Sequence, residues 1–153
     1  NNKNRNLIKD IILMVQEEVA RRMVANENSP SKQYGLLTIL SQFWADVEIL
    51  RLVGRKCFYP APNGDSAVVL IKHKESITLP AINEEYFKKF NRIAFLQRRK
   101  TLANNLKTGF GYTKEFVEDI LNKNNISLTI RTEALTVDEI VKLSNEFYLA
   151  QNK

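Results

Sequence analysis

Two prolines one residue apart, Pro60 and Pro62, constrain this chain more than any other feature. Each fixes φ and removes a backbone donor. The stretch Phe58-Tyr59-Pro60-Ala61-Pro62-Asn63-Gly64-Asp65-Ser66 therefore cannot be a central strand and reads as a rigid extended loop. Asn63-Gly64 then offers the positive-φ residues of a tight turn. The chain before the loop alternates between strand and helix patterns, and the chain beyond Lys74 reads as helix. A rigid loop holds an aromatic ring still, and Phe58 stands at its mouth. Phe58 and Tyr59 either fill a gap in the core, the commoner use of aromatic residues, or form the floor of a site.

Before the loop, Leu7 to Val15 ends in the unbroken apolar run Ile11-Ile12-Leu13-Met14-Val15, the pattern of a parallel strand covered on both faces. Glu17 to Ala25 reads as a helix with Val19, Met23 and Ala20 inward. Asn26 to Lys32 is a loop, and Tyr34 to Trp44 is a second helix with Leu37, Leu40 and Trp44 on one stripe. Asp46 to Val53 alternates imperfectly, as an edge strand does. Ala67-Val68-Val69-Leu70-Ile71 is all apolar and therefore a central strand, antiparallel to its predecessor.

Pro80 separates this α/β part from a helical one, which gives domains at residues 1–78 and 79–153. Asn83 is an N-cap with Glu84 and Glu85 suited to the positive end of the dipole, and one long helix is expected to run to about Lys107. Gly109 and Gly111 end it. Thr113 starts a short helix with the stripe Phe116, Val117, Ile120 and Leu121. Thr136-Val137-Asp138-Glu139 is a capping box, and Leu135 with Ile140 has staple spacing. The fold class is thus α/β followed by all-α.

Composition narrows the function classes. A length of 153 residues suits one ordinary domain or part of a larger protein. The polar start Asn1-Asn2-Lys3-Asn4-Arg5-Asn6 is not a signal peptide and reads as a cut through a longer chain. No run reaches the length of a membrane span. One cysteine, Cys57, and one histidine, His73, exclude a disulfide framework and argue against a protein-only zinc site or a Ser-His-Asp triad, and a reducing cytosol is the simplest compartment. The formal charge of +6 and pI near 9.5 suit either a polyanionic partner or a merely basic surface.

On the expected long helix, Lys88, Arg92 and Arg99 line one face, with Lys89, Lys100 and Lys107 beside it. That face is either solvated or nucleic-acid facing. Arg98 falls between apolar stripes and should point toward the sheet or a cleft. Gly109-Phe110-Gly111-Tyr112 comes after a helix, so it is a C-cap and turn, not a phosphate loop. With five glycines in all, no dinucleotide-type fingerprint is present.

Several stretches together resemble a known family, the rRNA adenine dimethyltransferases that modify two adjacent adenines near the end of small-subunit rRNA. They are Met14-Val15-Gln16-Glu17-Glu18-Val19-Ala20-Arg21-Arg22, Tyr34-Gly35, Phe58-Tyr59-Pro60-Ala61-Pro62 with Asp65-Ser66-Ala67-Val68-Val69, Phe95-Leu96-Gln97-Arg98-Arg99-Lys100-Thr101-Leu102 with Asn104-Asn105-Leu106, and Arg131-Thr132-Glu133-Ala134-Leu135. Glu17 stands where the family usually has Lys, and Asn63-Gly64 where it usually has Lys-Val. The erythromycin-resistance methyltransferases of large-subunit rRNA share the earlier anchors and resemble the Gln-Arg-Arg-Lys-Thr stretch less.

The resemblance implies the last three strands of a Rossmann-like class I methyltransferase sheet plus a small helical domain. It implies S-adenosylmethionine as cofactor, bound by a missing amino-terminal half, so that this chain holds no cofactor or metal residues and is inactive alone. It implies Phe58 as the ring that stacks on the target adenine, since a base must leave its stack to be methylated. It implies rRNA contact by Lys88, Arg92, Arg98, Arg99, Lys100 and Lys107, in a cytoplasmic protein of ribosome biogenesis that partners the small ribosomal subunit and no membrane. The apolar strand Leu7 to Val15, left as an edge, is expected to self-associate. The alternative is a self-standing RNA-binding or assembly module that never had a methyl donor.

Overall fold

The computed structural model describes residues 8–30, 32–75 and 79–153. The polar start Asn1 to Asn6, Leu7 of the expected first strand, Ser31 of the expected loop and the 76–78 link at the expected domain boundary lie outside the described residues. The chain divides into two compact units, Asn1–Ile77 and Thr78–Lys153.

In the first unit the apolar run 67–71 forms the middle of a three-stranded sheet. Strand β3 (Ser66–His73) pairs antiparallel with β1 (Asp10–Gln16) on one side and with β2 (Ala45–Val53) on the other. The expected central strand and its antiparallel predecessor are therefore observed. Register places Val15 opposite Ala67 and Leu13 and Ile49 opposite Val69, so these side chains share one face. A bulge between Ile49 and Arg51 lets β2 keep that alternation despite its imperfect pattern.

Helices α1 (Glu17–Val24) and α2 (Leu36–Trp44) supply the buried residues Ala20, Met23, Ile39 and Phe43. The stripe expected on α2 is wrong: Leu37 is exposed, and Thr38, Ile39 and Phe43 are the buried set. The helix is apolar on several sides, so spacing alone cannot choose its inner face. Polar groups choose it instead. Thr38 donates to the Arg22 carbonyl at 2.5 Å, and Gln42 donates to the carbonyls of Met23 and Ala25 at 3.0 and 2.7 Å. These bonds satisfy the C-terminal carbonyls of α1.

Strand β1 departs from expectation. Its only strand partner among the described residues is antiparallel, and it is not covered on both faces: Ile12 is 64% and Met14 53% exposed. The expectation of a strand buried on both faces is overturned, because among the described residues of the unit nothing covers the run: Ile11 and Leu13 on one face are exposed as well as Ile12 and Met14 on the other.

The second unit is helical: α3 (Glu84–Ala94), α4 (Leu102–Phe110), α5 (Lys114–Lys123) and α6 (Val137–Gln151). Each begins with a side-chain cap, since Asn83, Thr101, Thr113 and Thr136 accept from the N–H three residues on. Leu135 and Ile140 are both buried, as a hydrophobic staple requires. Phe87, Phe90, Leu102, Leu106, Leu121 and Phe147 fill the core. Tyr86 and Tyr112 meet hydroxyl to hydroxyl at 3.0 Å, and burial first, then that bond, pushes the Tyr86 phenol well above its ordinary range.

The single long helix expected from Asn83 to Lys107 is two helices. The break spans Phe95 to Thr101, where Asn105 and Thr132, both buried, take the last carbonyl of α3 and one carbonyl of the break itself. Asn105 Nδ2 donates to Ala94 O at 2.9 Å and to Gln97 O at 3.1 Å, and Thr132 Oγ1 donates to the same Ala94 oxygen. Gly111 caps α4 in the left-handed conformation with φ 74°. Gly109 lies inside α4, where a Cβ would run into the Ile93 side chain, so a glycine is needed for α3 and α4 to approach.

Candidate functional site

The Phe58 loop is held at both ends by one residue. Asp65 accepts the Arg55 N–H on its side chain at 2.9 Å, and its backbone carbonyl accepts the Glu17 N–H at 3.0 Å. A 3-10 turn, Arg55–Cys57, stands between, and the Phe58 N–H closes it on the Arg55 carbonyl at 3.3 Å. Pro60 and Pro62 stiffen the remainder. Asn63 and Gly64 are not the positive-φ pair expected, because the connection from Val53 to Ser66 is too long to need a two-residue reversal. Phe58 is half-buried in this frame. Its ring lines an open cavity of about 450 Å³ together with Met14, Gln16 and Ser66 at the end of β1 and the start of β3.

Such a site offers an aromatic face, apolar walls and the polar groups of Gln16 and Ser66, with no charged side chain in the lining. It can accept a flat, neutral, partly polar group against the ring. It contains no nucleophile and base in contact. Among the described residues no cluster of three or more His, Cys, Asp or Glu side chains is placed to hold a metal ion.

The basic residues separate into two sets. Lys88 and Arg92 lie one turn apart on α3, and Lys88 contacts the Glu85 carboxylate at 3.3 Å. Arg98, Arg99 and Lys100 sit in the turn after α3, all exposed, so the expectation that Arg98 points toward the sheet or a cleft is overturned. Its cause is the helix break, which removes 98–100 from the wheel on which that reading depended. Lys100 and Lys107, the latter on α4, line one cavity of about 530 Å³ with Gln97, Asn104 and Thr108. No carboxylate lines it. Two ammonium groups and neutral donors converging without a counter-charge make a seat for an anion.

Sequence reasoning missed the residues that hold these pieces in place. Asp65 clasps the aromatic loop, while Asn105 and Thr132 pin the turn carrying Arg98, Arg99 and Lys100. An Asp placed directly before an apolar strand was the available signal for the first. For the other two no local signal exists, since they act across 11 and 38 residues of sequence.

Among the described residues no strand leads into a helix through a glycine-rich turn. Strand β1 runs straight into α1, with Gln16 and Glu17 in place of a glycine-rich turn. Gly35, Gly54 and Gly64 stand singly, each with open space where a Cβ would go, so none marks a close backbone approach.

Residues 2–148 match the family described as "Ribosomal RNA adenine dimethylase". The ribosomal RNA small subunit methyltransferase A of Chlamydia felis is 44% identical over 135 residues, covering 88% of this chain and 46% of that protein. Its counterpart in Lactococcus lactis is 39% identical over 137 residues, covering 89% and 46%. The chain thus spans about half the length of the curated relatives it matches. A crystal structure of a dimethyladenosine transferase from Plasmodium falciparum superposes with a TM-score of 0.77 at 27% identity, over 94% of this chain and 58% of that one. The 23S rRNA methyltransferase ErmE, at 18% identity and a TM-score of 0.54, covers 95% of this chain and 56% of its own and shares the fold. The chain belongs to the ribosomal RNA adenine dimethylase family.

Proposed function

We propose that this chain is the carboxy-terminal part of an S-adenosylmethionine-dependent rRNA adenine N6,N6-dimethyltransferase. It supplies the last three strands of a Rossmann-like class I sheet and, from residue 79 onward, a helical rRNA-binding domain. The reaction dimethylates two adjacent adenines of small-subunit rRNA in the cytoplasm. The cofactor belongs to the half of the relatives that this chain does not span, so the chain alone neither binds the methyl donor nor transfers a methyl group. The open edge of β1 covers itself by pairing with that half or, in the isolated chain, with a second copy through 7–15; Leu7 lies outside the described residues.

One observation carries the reading: the half-buried Phe58 ring lines an open cavity on a loop clasped by Asp65. An adenine in a helix presents its exocyclic amine to a pairing partner and must leave the stack to react. Stacking on Phe58 restores the lost stacking on the base's face and leaves its edge, with the amine, free. In the helical unit Arg98, Arg99, Lys100 and Lys107, with Lys88 and Arg92, hold rRNA phosphates, which adds affinity without sequence selection.

A chimera joining the amino-terminal half of the Lactococcus lactis relative to this chain tests the proposal. It should methylate small-subunit rRNA, whereas this chain alone should not. Phe58→Ala should lower the rate roughly 5- to 150-fold, the equivalent of about 1–3 kcal/mol of stacking. Phe58→Tyr should retain more activity than Phe58→Leu. Equal rates for Tyr and Leu would make the ring a filler. A chimera that folds and binds rRNA without methylating it would favour the non-catalytic RNA-binding module.

A further inference from the structure

Tyr59 has no structural employment. It is fully exposed, at 102%, on a loop that is otherwise fixed. Its hydroxyl makes no hydrogen bond, and its ring meets no other ring among the described residues. A tyrosine that contributes nothing to packing is usually mobile or replaced by a polar residue. Here the backbone on either side is tied down by Asp65, Pro60 and the 3-10 turn, so the ring is presented at little entropic cost.

We infer that Tyr59 is a second stacking platform, which takes the nucleobase next to the one held against Phe58; this rests on the proposed base-platform reading of Phe58. Phe58 has extended backbone angles, φ −115° and ψ 150°, and Tyr59, which precedes Pro60, is restricted toward the same region, so the two side chains leave the backbone in different directions. One base therefore cannot lie flat on both rings. Two bases of a single strand can, one in the cavity and its neighbour at the rim, where Tyr59 also lines the opening. The surroundings suit a polyanion: Arg55 and Lys56, both exposed, precede the rings by a few residues, and the Asp65 carboxylate is turned to the Arg55 N–H. The phenol tip remains in water, so stacking costs no buried hydroxyl.

The ligand class is single-stranded RNA with two consecutive unpaired bases. Binding of the 153-residue chain to a short single-stranded RNA carrying 2-aminopurine at either of two adjacent positions provides the test, read by quenching of that base. Tyr59→Ala should weaken binding about five-fold or more, while Tyr59→Phe and Tyr59→Trp bind like the unsubstituted chain. Removing the neighbouring base, by an abasic nucleotide, should abolish the difference between Tyr59→Ala and the unsubstituted chain. The far-ultraviolet spectrum and melting curve of Tyr59→Ala should match the unsubstituted chain, since the ring buries nothing. If Phe58→Ala weakens binding and Tyr59→Ala does not, or if Tyr59→Leu binds as well as Tyr59→Phe, the second platform is refuted and the first stands. If neither variant matters, or the unsubstituted chain shows no saturable binding, both are refuted. Loss of self-association in Tyr59→Ala with unchanged RNA binding would assign the ring to a protein contact and overturn the inference.

Discussion

The helical unit and the sheet unit treat their apolar residues in opposite ways. In the helical unit Phe87, Phe90, Phe147, Leu102 and Leu121 are each 1% exposed or less, and four capped helices surround them. In the sheet unit four consecutive apolar residues of β1, Ile11 to Met14, are all exposed. The difference bears on where the stability of the chain resides. One unit closes its own core; the other presents a strand edge and an apolar face suited to continuing a larger sheet.

The largest expected effect tests that contrast directly. Phe147→Ala should destabilise the helical unit by about 3–5 kcal/mol, because a buried ring is lost from a core with little room to collapse. Ile12→Lys should change stability by no more than about 0.5 kcal/mol. It should also disperse any self-association, since a charge on an edge blocks strand pairing. Urea denaturation and light scattering at several concentrations measure both. Comparable losses of stability from the two substitutions would erase the distinction between the units.

The contrast also explains how much of the molecule was legible in its sequence. The caps at Asn83, Thr113 and Thr136 and the central strand 67–71 were legible, because each is set by residues within a few positions of one another. The break between α3 and α4 was not. Asn105 and Thr132 bond to it from a distance, and the residues between Phe95 and Lys100 carry no Pro or Gly to announce it. The strand character of β1 was legible from its apolar run, but its exposure was not, since hydrophobicity reports what a segment wants covered and not whether the cover is present. Phe58 could be singled out from the prolines around it. The Asp65 clasp that makes its loop a fixed frame emerged only with the hydrogen bonds.

A smaller effect sharpens the comparison from the side of pH. The Tyr86 phenol is raised by burial and by its bond to Tyr112, and Tyr112 is itself raised by burial. An unfolded tyrosine ionises near 10 and releases its proton, whereas the folded pair keeps its protons. The folded state then binds more protons than the unfolded one, so the stability of the helical unit should hold up to about pH 10 and fall as pH rises further. Tyr86→Phe should flatten that decline. Thermal melts between about pH 8 and pH 11 provide the comparison, and an unchanged slope in Tyr86→Phe would show that the pair does not couple to folding.

If the proposed function holds, the chain meets RNA at two places, the Phe58 loop and the turn held by Asn105 and Thr132. Hydrogen exchange of the chain with and without small-subunit rRNA reads both at once. Amides of 55–59 and 96–108 should gain protection on adding rRNA. That protection should fade as salt rises, with roughly 0.7 to 0.9 lost from the log-log slope for each phosphate-contacting lysine or arginine replaced by glutamine. Protection confined to Ile11–Val15 or to the α5 and α6 surface, or a salt slope unmoved by Lys100→Gln with Lys107→Gln, would contradict it.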